Sequence, residues 1–422
     1  MDVLVIGSGG REHAICWKLV SDGHRVNAWP GNPGISKIAK CHTSGSVSDL
    51  DGIVAFAEES KTDLVVVGPE APLVDGLADR LREKSIAVFG PGADGAELEG
   101  SKGFSKRFFR DARIKTADFE ICENLASVRA AIERLGGRVV VKADGLAAGK
   151  GVVVCSKKEE ALAAAEAMMR GRFGDAGKRL VIEERLEGQE LSVMAVTDGK
   201  KFIVLAQAED HKALLDGDFG PNTGGMGTVS PPTWASTALL SQIETDIFQK
   251  TLDELDRRGV SYRGVLYAGV MVDSDGVPWL LEYNCRFGDP ETQPVLSRLN
   301  SDLGGLLAAA AAGDLGTTTV EWSEMPSVCV VMASVGYPEK PEVGKEIGGL
   351  DEVAEIPFVQ VFHAGTRIDG DKVVTSGGRV LGVTASGKTV EEARRLAYDS
   401  VRRISFEGVQ FRGDIGARGG RQ

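Results

Sequence analysis

The stretch LEYNCRFGDPE, residues 281–291, concentrates more potential chemistry than any other part of this chain. It opens as a strand, WLLEYN from Trp279, in which Glu282 and Asn284 stand two residues apart. Alternate residues of a strand share a face, so a carboxylate and an amide oxygen project together. Hard oxygen ligands at that spacing suit Mg²⁺, which accepts one or two protein groups and takes the rest from water and phosphate. A solvated strand end is the plainer alternative, but it leaves two polar groups on one face of an apolar strand unexplained. Arg286, Asp289 and Glu291 follow in a dense charged turn. A metal–nucleotide site is expected here.

KADGLAAGKG, residues 142–151, supplies the cations such a site needs. It resembles a Walker loop only superficially, being one residue short and lacking the Ser or Thr that would meet Mg²⁺. It places Lys142 at the end of a buried strand and Lys150 in a flexible Gly/Ala loop, the pattern of a flap that closes over phosphates and excludes water. An ordinary hairpin tip would not account for Lys142.

GSGGRE, residues 7–12, nearly matches a dinucleotide fingerprint, but Glu12 stands where the third glycine belongs. The second strand also ends at Ala28-Trp29 without an acidic ribose ligand, which argues against a nicotinamide cofactor. A phosphate cradle is the alternative: Gly9 and Gly10 at a helix N-terminus, with Arg11 as a charged donor. A tight strand–helix turn would need the same glycines. In RLVIEERLEGQE, residues 179–190, Glu183 and Glu184 are placed to meet a purine amino group or solvent. GDFGPNTGGMG, residues 217–227, is costly to order, so it either approaches a ligand or serves as a plain linker. The five histidines are scattered, and no Ser-His-Asp or Cys-His pattern indicates a covalent nucleophile.

The elements that must carry these groups alternate at first between strand and helix. Strands are expected at 3–7, 25–29, 63–70 and 86–91, with helices over 12–20 and 73–82. This is the pattern of a parallel sheet with right-handed crossovers. A basic helix is expected across 97–113. Strands at 138–145, 151–155 and 179–184 follow, then a hairpin around Asp198-Gly199, a helix over 237–257 and the metal strand with its partner VLYAGVMVD. From about Pro326 the chain reads as short strands ending in one helix, started by a capping box of Thr389 and Glu392.

At 422 residues the chain is too long for one core and should hold two to four domains. With 42% hydrophobic and 26% charged residues, it has the composition of an ordinary globular protein. No apolar run approaches the length of a bilayer span, and MDVLVIGSGGREH lacks the basic start of a signal peptide. A cytoplasmic protein without membrane contact is expected. Six dispersed cysteines argue against disulfides and zinc. A net charge of −12 argues against nucleic acid as a partner, though not against small phosphorylated ligands.

Taken together, VLVIGSGGREHA, VVGPEAPLV, ELEGSKGFSK, VVKADGLAAGKGV, PNTGGMG, LEYNCRFGDPETQP and VFHAGT resemble the glycinamide ribonucleotide synthetase family of the ATP-grasp superfamily, across essentially the whole chain. The resemblance implies an α/β fold. An N-terminal parallel-sheet domain would cover 1–100 and an ATP-grasp domain 101–325, with a flap subdomain at about 116–188. A β-rich domain would cover 326–422. It implies ligation of glycine to 5-phosphoribosylamine with ATP and Mg²⁺ or Mn²⁺, by a monomer. Glu282 and Asn284 would be the metal ligands, and Arg286 and Lys142 the catalytic groups. Lys102, Lys142, Lys150, Glu183, Glu184, Leu186 and Glu190 would hold ATP. Gly9, Gly10, Arg11, Glu12, Pro69 and Glu70 would meet the phosphoribosylamine. Asp210, Gly224, Gly225, Asp289, Pro290 and Glu291 would meet glycine and its acyl phosphate. The chain departs from the family pattern at Ala213, where an arginine is expected. The competing readings are an ATP-grasp ligase with another acceptor and a non-catalytic nucleotide sensor.

Overall fold

The computed structural model describes residues 1–147 and 150–417. The N-terminal part is a five-stranded sheet, parallel throughout, in the order Lys40–Cys41, Arg25–Pro30, Asp2–Gly7, Leu64–Val67, Val88–Phe89. Asp2–Gly7 is buried from Val3 onward, as a central strand covered on both faces must be. The helix expected over 73–82 is two helices, Glu70–Val74 and Leu77–Glu83, because Gly76 turns left-handed between them at φ 83°. The basic helix expected across 97–113 is likewise divided, into Ala93–Gly100 and Lys102–Asp111. Ser101 leaves the helical region and caps the second helix, accepting from the Phe104 N–H at 3.1 Å. That break puts Glu99 in the last turn of one helix and Lys102 at the start of the next.

Two antiparallel four-stranded sheets follow. One runs Phe119–Cys122, Leu180–Glu184, Val139–Ala143, Val152–Val154; the other runs Phe202–Val204, Gln189–Thr197, Gly264–Val272, Pro278–Asn284. The hairpin at Asp198-Gly199 forms as expected, with Thr197 opposite Phe202. Pro278–Asn284 pairs Glu282 with Gly269 and Asn284 with Tyr267, and a register shift leaves Leu281 as the extra residue of a bulge. Glu282 and Asn284 still share a side. The expected helix over 237–257 runs as Thr237–Ile243, a π-helical stretch, and Lys250–Arg257.

The short strands expected after Pro326 appear at Ser327–Ser334, Val359–His363, Lys372–Thr375 and Arg379–Ser386. Their main sheet has six strands and recruits two from earlier in the chain. Gly227–Ser230 pairs with Ser327–Ser334, and Glu209–Asp210 pairs with Gly227–Ser230. Asp210 is therefore carried by the C-terminal sheet, across the boundary expected near residue 325. Thr389 caps the helix Val390–Val401 as read from sequence. The Glu392 carboxylate, however, accepts from the Lys388 N–H at 2.8 Å, so the capping box is only half formed. All six cysteines are free thiols, and no helix among the described residues is long and apolar enough to cross a membrane.

Candidate active site

A cleft of about 700 Å³ opens between the two four-stranded sheets. The lysines converge on it. Lys142, buried in the strand Val139–Ala143, lies 3.0 Å from the Glu183 carboxylate on the neighbouring strand. Lys106, one helical turn beyond Lys102, lies 3.0 Å from the same oxygen and donates to the Thr116 hydroxyl at 2.7 Å. Burial pulls the Lys106 amine down to about 8 even with Glu183 beside it. For Lys142, Glu183 and Glu282 outweigh burial and raise it. Glu183 is thus committed through one oxygen to two lysines, where the sequence pattern offered a purine amino group or solvent. Its second oxygen is buried without a partner among the described residues. Glu184 is exposed, and Glu184, Leu186 and Glu190 line the cleft beyond it. Glu190 pairs with Lys212 at 2.9 Å.

Lys106 and Lys212 were not singled out by sequence reasoning, although both line the cleft. The available signal for Lys106 was its i+4 spacing from Lys102, which puts both on one helix face. Lys150 is exposed and is not among the lining residues, while Ala148 and Gly149 of the same loop lie outside the described residues.

Glu282 sits at the centre of this positive field. Burial opposes its ionisation, but Lys142, Lys212, Lys102 and Lys106 hold it down at about 2. Next to it, the Asn284 amide N–H donates to Glu99 at 3.0 Å. Glu99 also accepts from the Cys285 backbone N–H at 2.8 Å and pairs with Arg286 at 2.9 Å. Arg286 reaches Glu70 at 3.2 Å. Two segments distant in sequence from Arg286 thus lock its guanidinium, which their carboxylates keep protonated against burial. Glu99 was not singled out either; on sequence it reads as one more acid on an amphipathic helix.

The geometry fits a divalent cation held with phosphate. An ionised Glu282 and an amide fixed by Glu99 present two oxygen ligands, fewer than a closed protein cage supplies. Among the described residues no group of three or more His, Cys, Asp or Glu forms such a cage. Four ammonium groups around Glu282 oppose a bare dication and favour one arriving on a polyphosphate.

The expected N-terminal phosphate cradle differs in detail. The Gly9 N–H donates to Glu12 at 2.6 Å, so the third residue of the helix Gly10–Ser21 reaches back to its N-cap, with no side chain on Gly9 to return the bond. Glu12 is buried, and Arg11 binds it at 2.5 Å while also donating to the Phe287 carbonyl at 3.2 Å. A Cβ at Gly7 or Gly9 would come within 2.5 or 2.7 Å of the Glu12 side chain, and one at Gly68 would overlap it. The Gly9 amide is therefore taken by the chain's own carboxylate. Pro69 caps the helix that begins at Glu70, and Glu70 joins this corner to Arg286.

At the far wall, Glu291 is buried and accepts from the Tyr267 hydroxyl, with Ser192 2.9 Å from that hydroxyl. Asp210 has a buried oxygen with no partner among the described residues. Burial and the facing Glu291 carboxylate push Asp210 well up. Gly225 turns at φ 111°; a Cβ there would overlap Pro290 and lie 2.6 Å from Asp210. Gly224, Gly225, Asp289 and Pro290 are thus brought together with Asp210 and Glu291. Ala213 carries no cation, but its carbonyl accepts from the buried Arg412 at 3.1 Å.

A lysine-rich cleft between two antiparallel sheets, with an acid–amide pair on one strand, is the architecture of an ATP-grasp ligase. The family models for the N domain, the ATP-grasp (A) domain and the C domain of phosphoribosylglycinamide synthetase match residues 1–99, 100–292 and 327–418. The phosphoribosylamine–glycine ligases of Streptomyces coelicolor and Brucella melitensis are 49% and 45% identical, each over 99% of this chain and 99% and 98% of their own. The crystal structure of the Thermotoga maritima phosphoribosylamine–glycine ligase superposes with a TM-score of 0.84 at 37% identity, covering 98% of this chain and all of that one. The chain belongs to the phosphoribosylglycinamide synthetase family.

Proposed function

We propose that this protein ligates glycine to 5-phosphoribosylamine, converting ATP to ADP and phosphate and releasing glycinamide ribonucleotide for purine synthesis. The observation that carries the reading is Glu282, ionised among four lysines beside an amide of fixed orientation. That is a seat for a metal–polyphosphate complex. We assign 1–100 to the acceptor domain, 101–325 to the ATP-grasp domain with its flap at about 116–188, and 326–422 to the C-terminal domain.

Glu282 and Asn284 would hold a divalent cation, Mg²⁺ or Mn²⁺, both of which accept hard oxygen donors, and the ion would neutralise and orient the triphosphate. Lys102 and Lys142 bind phosphate oxygens, Lys150 closes over them, and Glu190 takes the ribose. Glu184 and Leu186 bracket the adenine, while Glu183 serves it through its free oxygen. Asp210 and Glu291 face the glycine ammonium. The glycine carboxylate attacks the γ-phosphorus and ADP leaves, giving glycyl phosphate.

Arg286 and the turn of Asp289 and Pro290 border that acyl phosphate, together with Gly224 and Gly225. The ribosyl amine then attacks the acyl carbon, and phosphate departs with the proton. Arg11, Gly10, Pro69 and Glu70 face the acceptor, with Gly9 and Glu12 shaping that wall. The carboxylate nucleophile is already ionised, so positioning and charge neutralisation do the work. Orientation alone is worth roughly 7–11 kcal/mol in favourable cases. We place the enzyme in the cytoplasm, as a monomer.

The test is ADP release with Mg·ATP and glycine, with and without phosphoribosylamine generated in situ. Turnover requiring all components, with glycine and ribose phosphate in one product, supports the reading. Turnover with a different acceptor sinks the named substrate, and nucleotide binding without turnover points to a sensor.

A further inference from the structure

Among the described residues, no side chain beyond Glu291 lines the cleft, yet its far wall is held from the C-terminal sheet. Arg379, at the start of the strand Arg379–Ser386, donates to the Gly224 carbonyl at 2.5 Å, the Asp289 carbonyl at 2.6 Å and the Asp289 carboxylate at 2.9 Å. From the other side, the Tyr337 hydroxyl accepts the Gly224 N–H at 3.0 Å. The surroundings are shaped for this grip. A Cβ on Gly224 would come 3.0 Å from the guanidinium carbon, and one on Gly378 would overlap the Tyr337 ring.

We infer that Arg379 is a positioning residue that clamps the loop of Gly224 and Gly225 to the turn of Asp289 and Pro290, fixing the distance between Asp210 and Glu291 and thereby the fit of the amino-acid substrate. The inference rests on the proposed glycine site. A planar fork satisfies three acceptors on two segments at once, which an ammonium cannot reproduce. Loosening the clamp separates the two acidic residues facing the substrate amine and admits water beside the acyl phosphate. Nucleotide contacts, which lie on the opposite wall, are left in place. Arg379 therefore governs glycine affinity and the coupling of ATP consumption to product, not nucleotide binding.

The experiment compares wild type, Arg379→Gln, Arg379→Lys and Tyr337→Phe. It reads KM for glycine, KM for Mg·ATP, ADP affinity by calorimetry, and the ratio of ADP formed to ribonucleotide formed. Loss of a charged hydrogen-bonding partner should raise the glycine KM of Arg379→Gln by about tenfold or more, with ADP affinity within about twofold of wild type. The same variant should form more ADP than product. Arg379→Lys should recover only part of the loss, and Tyr337→Phe should shift glycine KM in the same direction by about threefold. An unchanged glycine KM with one ADP per product overturns the inference, as does a parallel loss of ADP affinity and glycine affinity. If Arg379→Gln does not fold, Tyr337→Phe decides by the same criteria. A wild type inert toward glycine overturns the proposed substrate and this inference with it, whereas an active wild type with indifferent variants overturns the inference alone.

Discussion

Glu99 accepts the side-chain amide of Asn284 at 3.0 Å, and this contact decides which end of that amide is available to a ligand. An ionised carboxylate has no proton to donate, so the amide nitrogen must face Glu99 and the oxygen must face away. Glu99→Gln removes that instruction, because a second amide can accept or donate. Mn²⁺ affinity in the presence of ADP, followed by electron paramagnetic resonance, should fall by about tenfold or more, in line with the loss of a charge-assisted hydrogen bond. Unaltered affinity would show that the amide is oriented by something else.

Glu282→Gln should cost stability as well as metal–nucleotide binding. The folded value of Glu282 is lowered to about 2 from 4.5, so its stabilisation is present above 4.5 and lost as pH falls through 2. At neutral pH the ionised form contributes up to about 3 kcal/mol. The variant should still unfold cooperatively, at lower denaturant, and the stability difference from wild type should shrink as pH drops below 4.5. A difference independent of pH would reject this account.

The same crowd of lysines sets an order of loading. Free Mn²⁺ should bind the protein weakly, and ADP should tighten its binding by about a hundredfold or more, because phosphate charge offsets the four ammonium groups. Equal affinity with and without nucleotide, measured by calorimetry, would contradict it.

Arg286→Lys keeps the charge but cannot serve Glu70 and Glu99 together, which lie at 3.2 and 2.9 Å from two different nitrogens. Transition-state stabilisation by one preorganised donor is worth about 10²–10³ in kcat. A drop of that order, with ADP affinity retained, is the expected outcome; a kcat near wild type would remove Arg286 from the reaction.

Lys106 should leave a signature in alkali. Its folded value is lowered to about 8 from 10.5, so the folded protein binds fewer protons between those values. The corresponding stability is fully present above 10.5 and lost as pH falls through 8, by up to about 3 kcal/mol. Unfolding free energy of wild type should therefore rise relative to Lys106→Met between pH 8 and 10.5. A constant offset would mean that Lys106 keeps its proton throughout.

The site was legible in sequence where chemistry sits on one short segment. Glu282, Asn284 and Arg286 lie within five residues on a strand and its turn, and the strand period alone puts the first two together. Lys142 was legible because a lysine ending an apolar strand conflicts with burial. What could not be read were contacts between distant segments. Glu99 reaches Asn284 across 185 positions and Arg379 reaches Gly224 across 155, and neither has a local pattern that distinguishes it from a surface charge. The helix break at Gly76 was missed because apolar spacing continues through it, from Leu73 to Leu77 and Leu81. The strand Glu209–Asp210 was hidden for a related reason: two residues are too few to show a period, and only pairing with Gly227–Ser230 defines them.

The carboxylate of Glu12 packed among Gly7, Gly9 and Gly68 carries a lesson about how glycine-rich turns are interpreted. Here the missing side chains make a mould for a residue of the same helix, and the amide that a diphosphate would have used is already answered. Replacing any of the three glycines would evict an internal tenant before it touched a visitor. A pattern scan for nucleotide cofactors would score this turn as a near miss, when the glutamate that spoils the match is what the glycines accommodate.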